Sequence, residues 1–305
     1  MSKKIRAELM LLTTALIWGT AFVAQRSGMD YVGPFTFNGI RFLIGAVVMI
    51  PIILMMDKLN SKNKSTIPMT VLEKKKERKL LLTGGFFCGL ALLAGTGLQQ
   101  MGLVYTTAGK AGFITALYIV IVPLTGIFLG RKVRTLLWVS VLLGVVGLYL
   151  LSINEGFSIN LGDFLMFLCA FGFAAHILVV DHFSPKTNAL KLSAVQFFVC
   201  GALSLVIMAF VEHPQLSYIL DAAFPLLYTG IMSCCVAYTF QVVAQRDVAP
   251  TVASLLLSME SVFAVIFGML LLNEQLLPKE IVGCFIMFVA IILAQMPGKA
   301  ERSSL

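Results

Sequence analysis

Residues 80–103 read LLLTGGFFCGLALLAGTGLQQMGL. The run holds no charged side chain, and the block EKKKERK at 73–79 ends directly before it. A helix needs about 20 mostly apolar residues to cross the hydrocarbon core of a bilayer. Nine further stretches fit that description: 8–25, 36–56, 108–129, 135–152, 162–181, 190–211, 222–244, 250–271 and 279–296. The reading is therefore an all-α integral membrane protein with ten transmembrane helices. Composition agrees: 59% of the 305 residues are hydrophobic and 12% are charged, whereas soluble domains run near 45–50% and 25%. A soluble enzyme and a disordered chain are both excluded. The first stretch follows Lys3, Lys4 and Arg6 like a signal sequence. It lacks a small-x-small cleavage site, carries Trp18 and Gln25, and heads further spans, so it reads as the first transmembrane helix.

The net charge of +8 reports orientation. With the N-terminus inside, nineteen of the 23 basic residues fall in inner segments, eight of them in the loop 57–79. Only Arg26, Arg41, Lys110 and Lys279 fall outside. This is the positive-inside pattern of a multi-pass protein of the cell (inner) membrane with both termini cytoplasmic. The lipid bilayer is the expected partner and nucleic acid is not. The sequon Asn63-Lys64-Ser65 falls in that inner loop and reads as chance. All six cysteines lie inside spans, without metal-ligand spacing, as small apolar packing residues. Gly85…Gly89, Ala91…Gly95 and Gly126…Gly130 space small residues four apart, which lets helices approach closely in lipid.

The second half echoes the first. Ala15 matches Ala170 and Trp18 matches Phe173; further on, Gln99 matches Gln241, Ala111 matches Ala253 and Tyr118 matches Glu260. The expected division is 1–156 and 157–305, five spans each. An odd number of spans places the second unit in the opposite orientation, giving two inverted five-helix repeats. Inverted repeats are a recurring architecture of secondary transporters, with substrate held near the midplane between the units.

Several motifs carry a resemblance at this point. Trp18-Gly19-Thr20-Ala21-Phe22, Pro34…Arg41-Phe42, Gly97 to Leu103, Tyr105 to Phe113 and Pro123 resemble the first half of the EamA-type drug/metabolite transporters, and Ala253…Glu260 followed by Asn273-Glu274 is similar to that family's closing helix pair. Glu260-Ser261 stands where the family often has Glu-Pro, and Gly130-Arg131-Lys132 where an acidic residue is common. The resemblance implies a ten-helix carrier of amino acids, other small metabolites or toxic compounds, with its path between the two halves.

Glu260 lies near the centre of its span, where a charge is costly. It faces a cavity, pairs with a cation or is protonated; a coupling or binding residue and a structural hydrogen-bonding group are both open readings. Helical phase adds Trp18, Phe22 and Gln25 on one face of the first span and Phe173 and His176 on the sixth. It also adds Gln99 with Thr96 on the third, and Tyr238 and Gln241 with Cys234 on the eighth. Packing or a lipid-facing surface is the alternative for the aromatic stripe. Arg41, in the outer third of its span, either attracts an anionic group or snorkels to the headgroups. The expected substrate-binding set is thus Trp18, Phe22, Arg41, Gln99, Tyr118, His176, Tyr238, Gln241 and Glu260, with Glu260 the coupling residue.

The function expected is a secondary transporter that moves a small metabolite, an amino acid or amine, by alternating access in the export direction. Proton coupling would supply the energy, and no cofactor or metal is needed. A facilitated-diffusion permease or channel-like pore is the alternative. An intramembrane enzyme is disfavoured: there is no G-x-S-x-G, no H-E-x-x-H and no ligand set among the three histidines. No G-x-x-x-x-G-K-[ST] for ATP occurs. The topology predicts that green fluorescent protein fused after Leu305 fluoresces in cells, and that alkaline phosphatase fused after Asn154 is active. The reverse pair of results would overturn the orientation.

Overall fold

The computed structural model describes residues 2–62, 70–130, 135–152, 161–272 and 278–295, and among these every regular element is helical. The first elements are α1 (Lys3–Gly28), α2 (Pro34–Lys62), α3 (Val71–Leu103), α4 (Ala108–Thr115), α5 (Tyr118–Phe128) and α6 (Thr135–Ser152). Then follow α7 (Leu161–Phe183), α8 (Ala189–Val211), α9 (Leu216–Asp221), α10 (Ala223–Tyr228) and a π-helical stretch, Thr229–Tyr238. The chain ends in α11 (Thr239–Ala244), α12 (Pro250–Leu257), α13 (Glu260–Leu272) and α14 (Pro278–Gln295). Among the described residues eight segments are long and apolar enough to cross a membrane. At the other two expected positions α6 and α14 carry only shorter apolar stretches, Thr135–Gly147 and Ile281–Ala290.

Local chemistry places the ends. Pro34 and Pro250 open α2 and α12, where a missing N–H costs nothing. Thr70 and Glu73 form a reciprocal capping box at the start of α3. As a result the segment 57–79 is not a loop throughout. Its described residues extend α2 to Lys62 and start α3 at Val71, because charged residues of good helix propensity continue a helix beyond the lipid as readily as within it. The sequon, Arg131-Lys132 and Asn273-Glu274 lie outside the described residues.

Two further differences concern the spans themselves. Those read as continuous at 108–129 and 250–271 are each split, into α4 and α5 and into α12 and α13. The span 222–244 contains the π stretch between α10 and α11. Hydropathy reports how apolar a run is, not whether its hydrogen-bond ladder is unbroken, so neither feature was visible in it.

The most extensive packings pair α3 with α7, α6 with α14 and α2 with α8, while α1 lies on α13, the π stretch and α11. Small residues set the tightest crossing. A Cβ on Gly172 of α7 would fall within 3.0 Å of backbone atoms of Gly95 and Ala94 in α3. The α2–α8 pair is tied at both ends. At one end the Glu212 carboxylate, just past α8, accepts from Phe35 N, Thr36 N (both 2.8 Å) and Thr36 Oγ1 (2.6 Å), capping the start of α2. At the other, Lys191 meets Asp57 at 2.9 Å. The five cysteines with described side chains are buried and free, in keeping with packing roles.

Because only backbone opposes a Cβ at Gly172, no rotamer change relieves the clash. Gly172→Val is expected to destabilise the protein by about 1–3 kcal/mol, the range for overpacking, read as a lower thermal midpoint in detergent. Gly109→Ala, with open space around its Cβ, should leave the midpoint unchanged.

Candidate functional site

The two split spans bring their breaks together. Between α12 and α13 the ladder tightens to three-residue spacing: Met259 N donates to Leu256 O (3.3 Å) and Ser261 N to Ser258 O (3.2 Å). Serines help cause this. Ser254, Ser258 and Ser261 turn their hydroxyls back onto the carbonyls of Thr251, Leu255 and Ser258 at 2.9, 2.7 and 2.7 Å, a pattern that bends helices. Between α4 and α5 the same tightening occurs at Leu117, Ile119 and Val120. Pro123, with no N–H, withholds a donor from the first turn of α5. Tyr118 and Glu260 are the first residues of the second half-helix in each case. They touch: Tyr118 Oη donates to Glu260 Oε1 at 2.9 Å, with both side chains buried.

Beside this contact lies a cavity with about 310 Å³ of empty space. It is drawn out between side chains, and only a small part is wide enough to seat a water molecule. Seven of the nine expected residues line it: Trp18 and Phe22 from α1, Arg41 from α2, Gln99 from α3, Tyr118, Tyr238 and Glu260. Gln25 and Phe173, expected on the same faces, line it too. Trp18 and Tyr238 form an aromatic pair, ring centroids 4.6 Å apart at 55°. The Tyr238 ring also meets Phe42 at 5.8 Å and Phe197 at 6.3 Å.

His176 and Gln241 are not in the lining. His176 stands behind Tyr238, ring centroids 5.8 Å apart and edge-on, and its Nε2 is 2.9 Å from Gln196 Oε1. Gln241 donates instead to Gln245 Oε1 at 2.9 Å, and Gln245 in turn to Ile177 O at 2.9 Å. Gln241 lies three residues beyond Tyr238 in α11, and its amide is committed to Gln245 outside the lining. Each π turn takes in more residues than an α turn, which brings Ser233 into the lining five residues before Tyr238. Thr115 also lines the cavity; it sits three residues before Tyr118, and its neighbour Gln99 reaches it at 3.5 Å. That spacing was available as a signal, while the position of Ser233 was hidden by the π geometry.

Arg41 is 1% exposed. Its Nη1 donates to Gln25 Oε1, and its Nε and Nη2 donate to Asn38 Oδ1 at 3.2 and 2.9 Å. The Phe37 and Phe42 rings flank the guanidinium at 5.7 and 5.0 Å. Snorkelling to the headgroups is therefore excluded for this conformation: the side chain turns inward. Among the described residues no group of three or more His, Cys, Asp or Glu could hold a metal ion.

On the side of the α1 N-terminus, α1 is hydrogen-bonded to the π stretch. Thr14 Oγ1 donates to Ala237 O at 3.0 Å and Trp18 Nε1 to Ser233 O at 3.5 Å. Toward the other end of α1, Thr20 is hydrogen-bonded to Tyr228, and Gln100 Nε2 reaches Gln25 O at 3.4 Å.

Known proteins share both sequence and fold with this chain. A transporter of Archaeoglobus fulgidus, described as uncharacterized, is 32% identical over 295 residues, covering 96% of this chain and 87% of its own. The uncharacterized transporter YoaV of Bacillus subtilis is 22% identical, over 95% of this chain and 96% of its own. A crystal structure of 18% sequence identity superposes with a TM-score of 0.72, covering 95% of this chain and 96% of that one. The model of the EamA-like transporter family matches residues 5–153 and again residues 160–296. With nearly its whole length matched, the chain belongs to the EamA-like transporter family.

Proposed function

We propose that this protein is a secondary carrier that moves a small metabolite, an amino acid or amine, out of the cell by alternating access. The observation that carries the reading is the meeting of Tyr118 and Glu260. They are equivalent positions of the two sequence halves, each at a helix break, and equivalent residues can touch only near an axis relating the halves. Discontinuous helices at such an axis are where transporters of this kind hold solute. Ten spans in two inverted units, 1–156 and 157–305, account for the packing. α2 with α8 and α6 with α14 each pair with their own equivalents, and α3 on α7 is mirrored by α10–α11 on α1.

Contacts at both ends of α1 then hold an occluded state. Opening to the cytoplasm breaks the Thr14–Ala237 and Trp18–Ser233 contacts, and opening outward breaks those at Thr20 and Gln100. Glu260 is the coupling residue in this scheme. It is the acid in the cavity lining, held by a single phenol, and it exchanges that partner for a proton and solute as the halves rock.

Proteoliposomes test the reading. Radiolabelled amino acids and amines are expected to move saturably and to be recovered unaltered, with accumulation raised by an opposing proton gradient. Glu260→Gln should retain exchange of solute across the membrane and lose accumulation against a gradient. Full accumulation by Glu260→Gln would remove proton coupling and favour facilitated diffusion. Conversion of the solute, or single-channel currents, would sink the carrier reading altogether.

A further inference from the structure

Among the described residues the guanidinium of Arg41 has no counter-ion. It is always charged and almost wholly buried, yet each of its hydrogen-bond acceptors is a neutral amide oxygen. Among the described residues no carboxylate lies within ion-pair distance of it. Glu260 lines the same cavity without pairing with it. A buried charge left unpaired is strongly destabilising unless something compensates it.

The neutral acceptors are themselves fixed. Gln25 Nε2 donates to Ala21 O at 3.2 Å, so its oxygen faces Arg41. Asn38 Nδ2 donates to Ser204 Oγ at 2.9 Å and Thr96 Oγ1 at 3.1 Å, so its oxygen does the same. Residues of α1, α2, α3 and α8 thus hold one guanidinium in one orientation at the cavity wall. A guanidinium offers five N–H donors and the described residues engage three, leaving one on each terminal nitrogen. Two donors in a fixed fork match the two oxygens of a carboxylate.

A second set of cations lies at the start of α1, the helix whose Gln25 accepts from Arg41. Lys3 and Arg6 of α1, with Arg246, line a separate cleft of about 520 Å³ that holds one acid, Asp247. It lies on the side read as cytoplasmic. Cleft charge of one sign raises the local concentration of opposite charge, so an anionic solute would gather where α1 begins and meet Arg41 deeper along it.

We propose that Arg41 is the receptor for a carboxylate of the transported solute, so that the cargo carries one and a bare amine does not qualify. This inference rests on the carrier reading for the word "transported" and narrows its substrate class. The carboxylate supplies the counter-ion that the fold omits, and the aromatic pair Trp18–Tyr238 takes the apolar remainder of the molecule.

Trp18 provides the readout. In a Trp138→Phe background it is the sole tryptophan, and its fluorescence in purified protein is titrated with phenylacetate, L-phenylalanine and phenethylamine. Both carboxylates are expected to shift the emission saturably, with phenethylamine at least about tenfold weaker, or roughly 1.4 kcal/mol. Arg41→Gln, which keeps donors and loses charge, should abolish the difference, and Arg41→Lys should restore part of it. Equal binding of phenethylamine by the unsubstituted site overturns the proposal, whether or not the Arg41 variants fold. So does the absence of any carboxylate response, or unchanged carboxylate binding in a folded Arg41→Gln. Flux separates the two readings: transport of phenethylamine but not of phenylalanine keeps the carrier and discards the carboxylate, whereas carboxylate binding with no flux of any solute does the opposite.

Discussion

In hydrocarbon every backbone N–H and C=O needs a partner inside the protein, because lipid offers none. That constraint governs what is seen here. It makes every described regular element a helix, and it makes each departure from an unbroken ladder informative. The breaks at Leu117 and at Ser258-Met259 tighten to three-residue bonds, and in the second case the Ser258 hydroxyl takes up the Leu255 carbonyl. The π stretch likewise keeps its bonds in another register, and the carbonyls of Ser233 and Ala237 serve additionally as acceptors for α1. The two span breaks and the π stretch all border one cavity, where polar side chains from both halves of the sequence gather.

Much of this was legible in the sequence. Apolar runs of about 20 residues gave the spans, since the cost of exposing a charge to lipid is large and the signal correspondingly strong. A 142-residue offset in the sequence relates Tyr118 to Glu260, and the two side chains touch. Phase along unbroken helices placed Trp18, Phe22 and Gln25 on one wall correctly. Phase failed at Ser233, which the π stretch brings into the cavity, and at His176 and Gln241, which bond to Gln196 and Gln245 outside it. The helix breaks were equally hidden, because serine is common in membrane helices and its back-bonding depends on the rotamer chosen in the fold. Arg41 was ambiguous for another reason. Its side chain is long enough to reach headgroups or core from the same Cα, and the choice was made by Gln25 and Asn38 on neighbouring turns and helices.

The site joins two charges handled in different ways. Glu260 has one phenol and a chemistry that lets it become neutral. Arg41 has no neutral form and is instead wrapped in amide oxygens and aromatic faces. An acid that can become neutral and a base that cannot thus line one cavity.

The π stretch has a mechanical consequence. Relative to an α-helix it stores one surplus residue in the ladder. Passing that surplus one step along the chain breaks a wide-turn bond on one side and forms an equivalent bond on the other, so the bulge travels like a ruck in a carpet without a net loss of bonds. As it travels, everything on one side of it rotates against everything on the other. Tyr238, at the last position of the stretch, would swivel its ring past Trp18 while α10 stays seated, a small rotation generated inside a single helix rather than by the sliding of whole helices.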